Sequence, residues 1–261
     1  MGEDQEEEEV PVPRWCMRCL RSTLLDWHRR YKKADSPFAL HPISFDCKYT
    51  KSGSIKCDKC RASQCNCKPA AAMLNGDRLD LCNILQVLED LCVGRVSEHG
   101  GSLPHVGEAD EGEGGRPFVL AEVTRRRLAQ ISYEISSAFS KAETQHRKKY
   151  GITGSKITHP EFGEGYENFC HSRRDLIRRT CTPLPASASW EDRRARESHL
   201  RLRLQPRDGG YHAWKRALAE ARQGLVLALT QDPRGRGEYH GAQWWIKAQE
   251  EAAQRFPPVR T

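Results

Sequence analysis

KCDKCRASQCNCKP, residues 56–69, decides how this chain is read. It carries Cys57, Cys60, Cys65 and Cys67. Upstream, WCMRC at residues 15–19 adds Cys16 and Cys19, and Cys47 lies between the two stretches, so seven of the chain's 11 cysteines fall between positions 16 and 67. Cys16 with Cys19 and Cys57 with Cys60 each have the C-x2-C spacing, in which a two-residue turn aims both sulfurs at adjacent corners of a metal tetrahedron. Two such pairs can close one four-thiolate zinc site, and the additional cysteines suggest a second ion with shared ligands, so one or two zinc ions are expected. Competing readings are a redox pair, a disulfide framework, or cysteines buried as small apolar side chains. A redox C-x-x-C is a single pair in a strand–helix setting, which is not evident here. The acidic start MGEDQEEEE is unlike a secretory leader, so a reducing compartment is expected, where clustered cysteines more often bind metal than form disulfides. Buried thiols would not account for two C-x2-C pairs so close together.

Working outward, residues 1–13 read as a disordered acidic tail and 14–69 as a small, irregular zinc-stabilised module. Residues 75–95 read as a helix, capped by Asn75 or Asp77, with Leu81, Leu85, Leu88 and Cys92 on one stripe. SEHGGSLPHVGEADEGEGGRP at 97–117 reads as a Gly-rich acidic linker. A second helix is expected at about 119–148, with Val123, Leu128, Ile131, Ile135, Ala138 and Phe139 on its apolar face. Residues 151–170, rich in Gly and holding Pro160, are expected to be irregular. Trp214, Leu218, Ala221, Leu225 and Leu229 mark a further helix, and Trp244, Trp245, Ala248, Ala252 and Phe256 a last one. The fold class is therefore mainly α, with residues 119–261 a helical region of unknown function.

The net charge of +7 is segregated: residues 1–9 carry −6, residues 10–67 carry 12 Lys/Arg against 4 Asp/Glu, residues 68–120 sum to −5, and 171–261 to +8. A basic block attracts phosphate backbones by counterion release, although a solvated face is the commoner meaning of such a run. No stretch has the length of a membrane span, so no membrane partner is expected. No catalytic constellation is visible. GITGSK at 151–156 lacks the glycine spacing of a phosphate loop, no H-E-x-x-H occurs, and Cys170–His171 has no identifiable orienting third residue. The chain is read as non-enzymatic.

The order Cys16, Cys19, Cys47, Cys57, Cys60, Cys67 resembles the fungal six-cysteine binuclear zinc cluster of transcription regulators, and the C-x-x-C-L-R opening resembles fungal proteins in which that cluster is stretched. Cys57-x2-Cys60-x6-Cys67 followed by Pro69 fits the pattern, as do the nine residues between Cys47 and Cys57, whereas 27 residues separate Cys19 from Cys47. The resemblance implies two zinc ions held by six thiolates, with Cys16 and Cys57 bridging. It also implies a nuclear DNA-binding module in which Arg18, Arg21, Lys56, Lys59 and Arg61 contact phosphates or bases, and a following helix that pairs two subunits. Cys65 is a possible substitute for Cys67, and His41 a weaker alternative ligand. Cys82 and Cys92 are read as packing residues, and Cys170 and Cys181 as no second metal site. The alternative is a protein-interaction module with purely structural zinc, located in the nucleus or the cytoplasm. In either case residues 78–93 offer a helix for a protein partner or a second copy.

Overall fold

The computed structural model describes residues 16–31, 40–43, 47, 56–93, 120–152, 160–181, 183–185 and 187–233. The acidic tail, the 97–117 linker and the Trp244–Phe256 stripe lie outside them. The described chain is helical, without a strand: α1 (Met17–Tyr31), α2 (Asp58–Ala62), a short 3-10 helix (Ala72–Leu74), α3 (Asn75–Val93), α4 (Glu122–Lys149), α5 (Pro160–Thr180), α6 (Trp190–Leu200) and α7 (Tyr211–Thr230). No described helix is long and apolar enough to cross a membrane.

The long helix α4 is the hub, packing against α7, α3 and α1. Its apolar stripe runs through Leu128, Ile131, Ile135 and Phe139, all buried, while Val123, expected on that stripe, is 64% exposed at the first turn. Helix α7 lies antiparallel to α4. Gly210 at the start of α7 faces Ala142, Gly224 faces Ile131, and Asp232 beyond its end accepts from the Ala121 N–H at 3.0 Å. Gly210 is fixed by two constraints: its φ is +86°, and a Cβ there would come within 2.6 Å of the Ala142 Cα. Phe139 meets Trp214 edge-on, with ring centroids 5.3 Å apart.

The α3 stripe Leu81, Leu85, Leu88 and Cys92 is buried. This stripe packs within the chain's own core. Asp77 does not cap α3. It is fully buried and accepts from the Leu204 N–H and the Trp214 Nε1–H, both at 2.7 Å, and from Lys215 Nζ at 3.2 Å, so it ties α3 to α7. The cysteine cluster between residues 16 and 67 packs against the helical body. Cys16, Cys19, Cys47, Cys57 and Cys60 join the same apolar core as α3, α4 and α7, and the stretch after Cys16 is a regular helix.

Residues 160–170, expected to be irregular, belong instead to α5. Pro160 opens α5, in the first turn, where a missing N–H breaks no intrahelical hydrogen bond. Gly165 sits on the open face, and Tyr166, Cys170, Ile177 and Cys181 keep helical spacing on the buried side. This face closes over a polar cluster. Asp208 accepts from Arg173 Nη1 and from the Tyr150 hydroxyl, each at 2.7 Å, while the fully buried His146 places Nε2 2.9 Å from the Tyr166 hydroxyl. His146 Nδ1 has no hydrogen-bond partner among the described residues.

Burial, aided by Arg173, Arg147 and Lys149 nearby, pushes the His146 pKa down to about 4 from its ordinary 6.5. The folded chain therefore holds this imidazole neutral, and the unfolded chain takes up a proton first as pH falls. The resulting stability is complete above pH 6.5 and drains away between pH 6.5 and 4. Between pH 7.5 and 5.0 the parent should lose about 2 kcal/mol more stability than a His146→Gln variant. Urea unfolding of both proteins at the two pH values measures this difference.

Candidate metal centre

Cys16 and Cys57 occupy equivalent positions in the two halves of the site. Each immediately precedes a helix, α1 or α2, and each accepts through Sγ the backbone N–H three residues on, from Cys19 and from Cys60 respectively, both at 3.4 Å. A cysteine in this N-capping place sits at the positive end of the helix, where a thiolate is favoured. The second cysteine of each pair then lies in the helix's first turn, with its sulfur on the same side. The halves are joined by a hydrogen bond from the Met17 N–H to the Lys68 carbonyl at 2.7 Å.

Six sulfurs converge. Cys16 Sγ lies 3.5 Å from Cys60 Sγ, Cys19 Sγ lies 3.5 Å from Cys57 Sγ and 4.0 Å from Cys60 Sγ, and Cys67 Sγ lies 3.6 Å from Cys57 Sγ. Cys47 Sγ accepts the Cys16 N–H at 3.3 Å, and Cys67 Sγ accepts the Cys57 N–H at 3.1 Å. Two groups of four result, Cys16, Cys57, Cys60, Cys67 and Cys16, Cys19, Cys47, Cys57, in each of which all sulfurs lie within 4.8 Å of one another. Either group can hold a metal ion, and Cys16 and Cys57 belong to both. A tetrahedron with metal–sulfur bonds of about 2.3 Å has edges of about 3.8 Å, which the sulfur separations bracket. The donor set is soft sulfur throughout, suited to zinc. Five of the six cysteines are buried and Cys67 is half-buried.

Electrostatics singles out the same two residues. Burial pushes the Cys57 thiol up, but the Cys60 N–H and the neighbouring thiols that hydrogen-bond to it outweigh this and bring it down to about 6. Cys16 is likewise lowered, burial being outweighed by the Cys19 N–H and its neighbours. Burial raises Cys19, Cys47, Cys60 and Cys67, with Cys47 reaching about 12. Among the six, the two sulfurs common to both groups are those on which negative charge is best accommodated.

The other expected residues fall around the centre. The half-buried Cys65 turns its thiol onto the Ser63 carbonyl at 3.0 Å and belongs to neither group, so Cys67 and not Cys65 completes the constellation. His41 is exposed and outside both groups. Cys82 and Cys92 pack in the core, and Cys170 and Cys181 are buried along α5. Of the expected DNA contacts, Arg18, Lys59 and Arg61 are exposed, with Arg61 2.6 Å from Asp58, and Lys56 is half-buried. Arg21 is committed elsewhere. It donates to Glu143 at 2.8 Å, Thr144 at 3.0 Å and Ser140 at 3.2 Å, all on α4. The aromatic end of α1 is docked too, with Trp27 stacked on Tyr133 at 4.7 Å. The sequence signal for this docking was the Leu20, Leu24, Trp27 spacing of an amphipathic helix, hidden inside a stretch that reads as basic and polar.

No protein-family model matches this chain, and no curated protein or solved structure matches it.

Cys67→Ser is expected to weaken metal binding by more than the ~10–100-fold typical of losing an outer-shell partner, because it removes a ligand itself. Cys65→Ser should leave affinity at the parental value. Competition titration against a chromophoric chelator, under reducing conditions, separates the two variants.

Proposed function

We propose that the six cysteines hold two zinc ions, with Cys16 and Cys57 bridging, and that the centre is structural: it fastens the N-terminal segments to a helical body in a non-enzymatic interaction protein. The observation carrying this reading is that two complete four-sulfur groups share Cys16 and Cys57. Four thiolates saturate a tetrahedral zinc ion and leave no open position for a substrate, as in structural rather than catalytic sites. The sharing also agrees with the ligand pairing implied by the resemblance to fungal six-cysteine clusters. Because the cysteines sit in the common core, metal binding would contribute to folding of the whole described chain. Native mass spectrometry of the full chain under reducing conditions should find two zinc ions, and fewer in Cys57→Ser. A chain carrying no zinc, or one ion unaffected by Cys57→Ser, would contradict this reading.

A second reading, nuclear DNA binding in transcription regulation, is favoured by the exposed Arg18, Lys59, Arg61 and Lys68 around the centre. It has a smaller footprint than the sequence suggests, since Arg21 is held by Glu143. If it holds, duplex DNA binding weakens with salt, and Arg18→Ala and Lys59→Ala each lower the salt slope by about 1. Fluorescence anisotropy across a salt series tests it, and absence of binding at low salt leaves the structural role alone.

A further inference from the structure

We infer that Glu143, through Arg21 and Arg147, is the positioning residue of the metal centre, a clamp on α4 that holds both cysteine segments in register. This inference rests on the zinc reading above.

Glu143 is fully buried in the middle of α4's last third, and it uses both carboxylate oxygens. Oε2 accepts from Arg21 Nη2 at 2.8 Å, and Oε1 accepts from Arg147 Nε. Arg21 lies two residues after Cys19 in α1. Arg147 donates its Nη2 to the carbonyl of Pro69 at 2.7 Å, two residues after Cys67. One carboxylate thus reaches the first ligand segment through one guanidinium and the second through another. A buried carboxylate flanked by two guanidiniums is a strongly directional junction, because each arginine presents a planar set of donors and the desolvated anion cannot be left partly paired.

The clamp answers a difficulty set by the sequence. With 37 residues between Cys19 and Cys57, the two cysteine pairs are not held together by a short loop, and closing that connection costs chain entropy. An external grip on Arg21 and Pro69 supplies the alignment that the connecting chain does not. Outer-shell groups that orient metal ligands act in this way, and losing one typically weakens metal binding about 10–100-fold. Here the grip comes from a helix that contributes no ligand.

The test is the rate at which zinc leaves the full-length, zinc-loaded chain to excess chromophoric chelator, at a temperature where circular dichroism shows every variant folded. Glu143→Gln and Arg21→Met are expected to release zinc about tenfold faster than the parent or more. Asp232→Asn is the control. It loosens the opposite end of α4, at the Ala121 N–H, so its release rate should match the parent's. Should Glu143→Gln fail to fold, Arg21→Met decides the matter, since its side chain is 39% exposed and its loss disturbs the core least. Parental release rates in the clamp variants would overturn the inference. Equal acceleration in Asp232→Asn would do the same, because it would reduce the effect to general destabilisation. A parent chain that holds no zinc from the outset would remove the zinc reading itself, a failure visible before any variant is compared.

Discussion

Six sulfurs drawn into one buried space are the constraint on which the rest of this structure depends. Thiols packed at 3.5 to 4.0 Å inside an apolar core cannot ionise together without a cation among them. The chain meets the demand in part with its own dipoles. Two helices begin at the cysteine pairs, and their N–H groups point at Cys16 and Cys57. These are the sulfurs shared by the two four-thiol groups, and bridging sulfurs would carry negative charge between two cations. Helix geometry, hydrogen bonding and ligand sharing therefore select the same two residues, which is the main physical support for the proposed zinc pair.

The second organising element is α4. Its core face meets α7 and α3, while Ser140, Glu143, Thr144 and Arg147 reach the cysteine segments. The same helix thus packs the body and meets the cysteine segments. This arrangement explains how so polar a chain maintains an ordered core: the cysteine region adds to the helical body, and its own short pieces would bury little apolar surface alone. It also limits what the surface can offer. The apolar stripe of α3 is buried, and Arg21 is bound to Glu143. Among the described residues, Arg18, Lys59, Arg61 and Lys68 are exposed around the cysteine cluster.

Much of this was legible in the sequence, and the reasons differ by element. C-x2-C spacing marks candidate ligands because a two-residue turn can aim both sulfurs at one site, so the convergence of Cys16, Cys19, Cys57 and Cys60 was readable directly. Cys67 over Cys65 was readable only through a family pattern, because two cysteines one residue apart point in different directions and spacing alone does not say which faces inward. Helices α3, α4 and α7 were legible because Leu, Ile and Trp recur at three and four. Helix α5 was not: its buried side is built from Tyr166, Cys170, Arg173 and Ile177, a face with little hydrocarbon, and its first turns carry Pro160, Gly163 and Gly165. The role of Asp77 was misread for a related reason. An acid near a helix start suggests a cap, and only the tertiary partners Leu204 and Trp214 turn it into a buried crosslink. The Glu143 junction joins residues more than 70 positions apart and has no local signature at all.

Zinc K-edge X-ray absorption on the zinc-loaded chain tests whether two zinc ions share these thiolates. The expected spectrum has a first shell made only of sulfur at about 2.3 Å, together with scattering from a second zinc across shared thiolates. A shell containing nitrogen or oxygen, or sulfur ligands with no neighbouring metal, would contradict it.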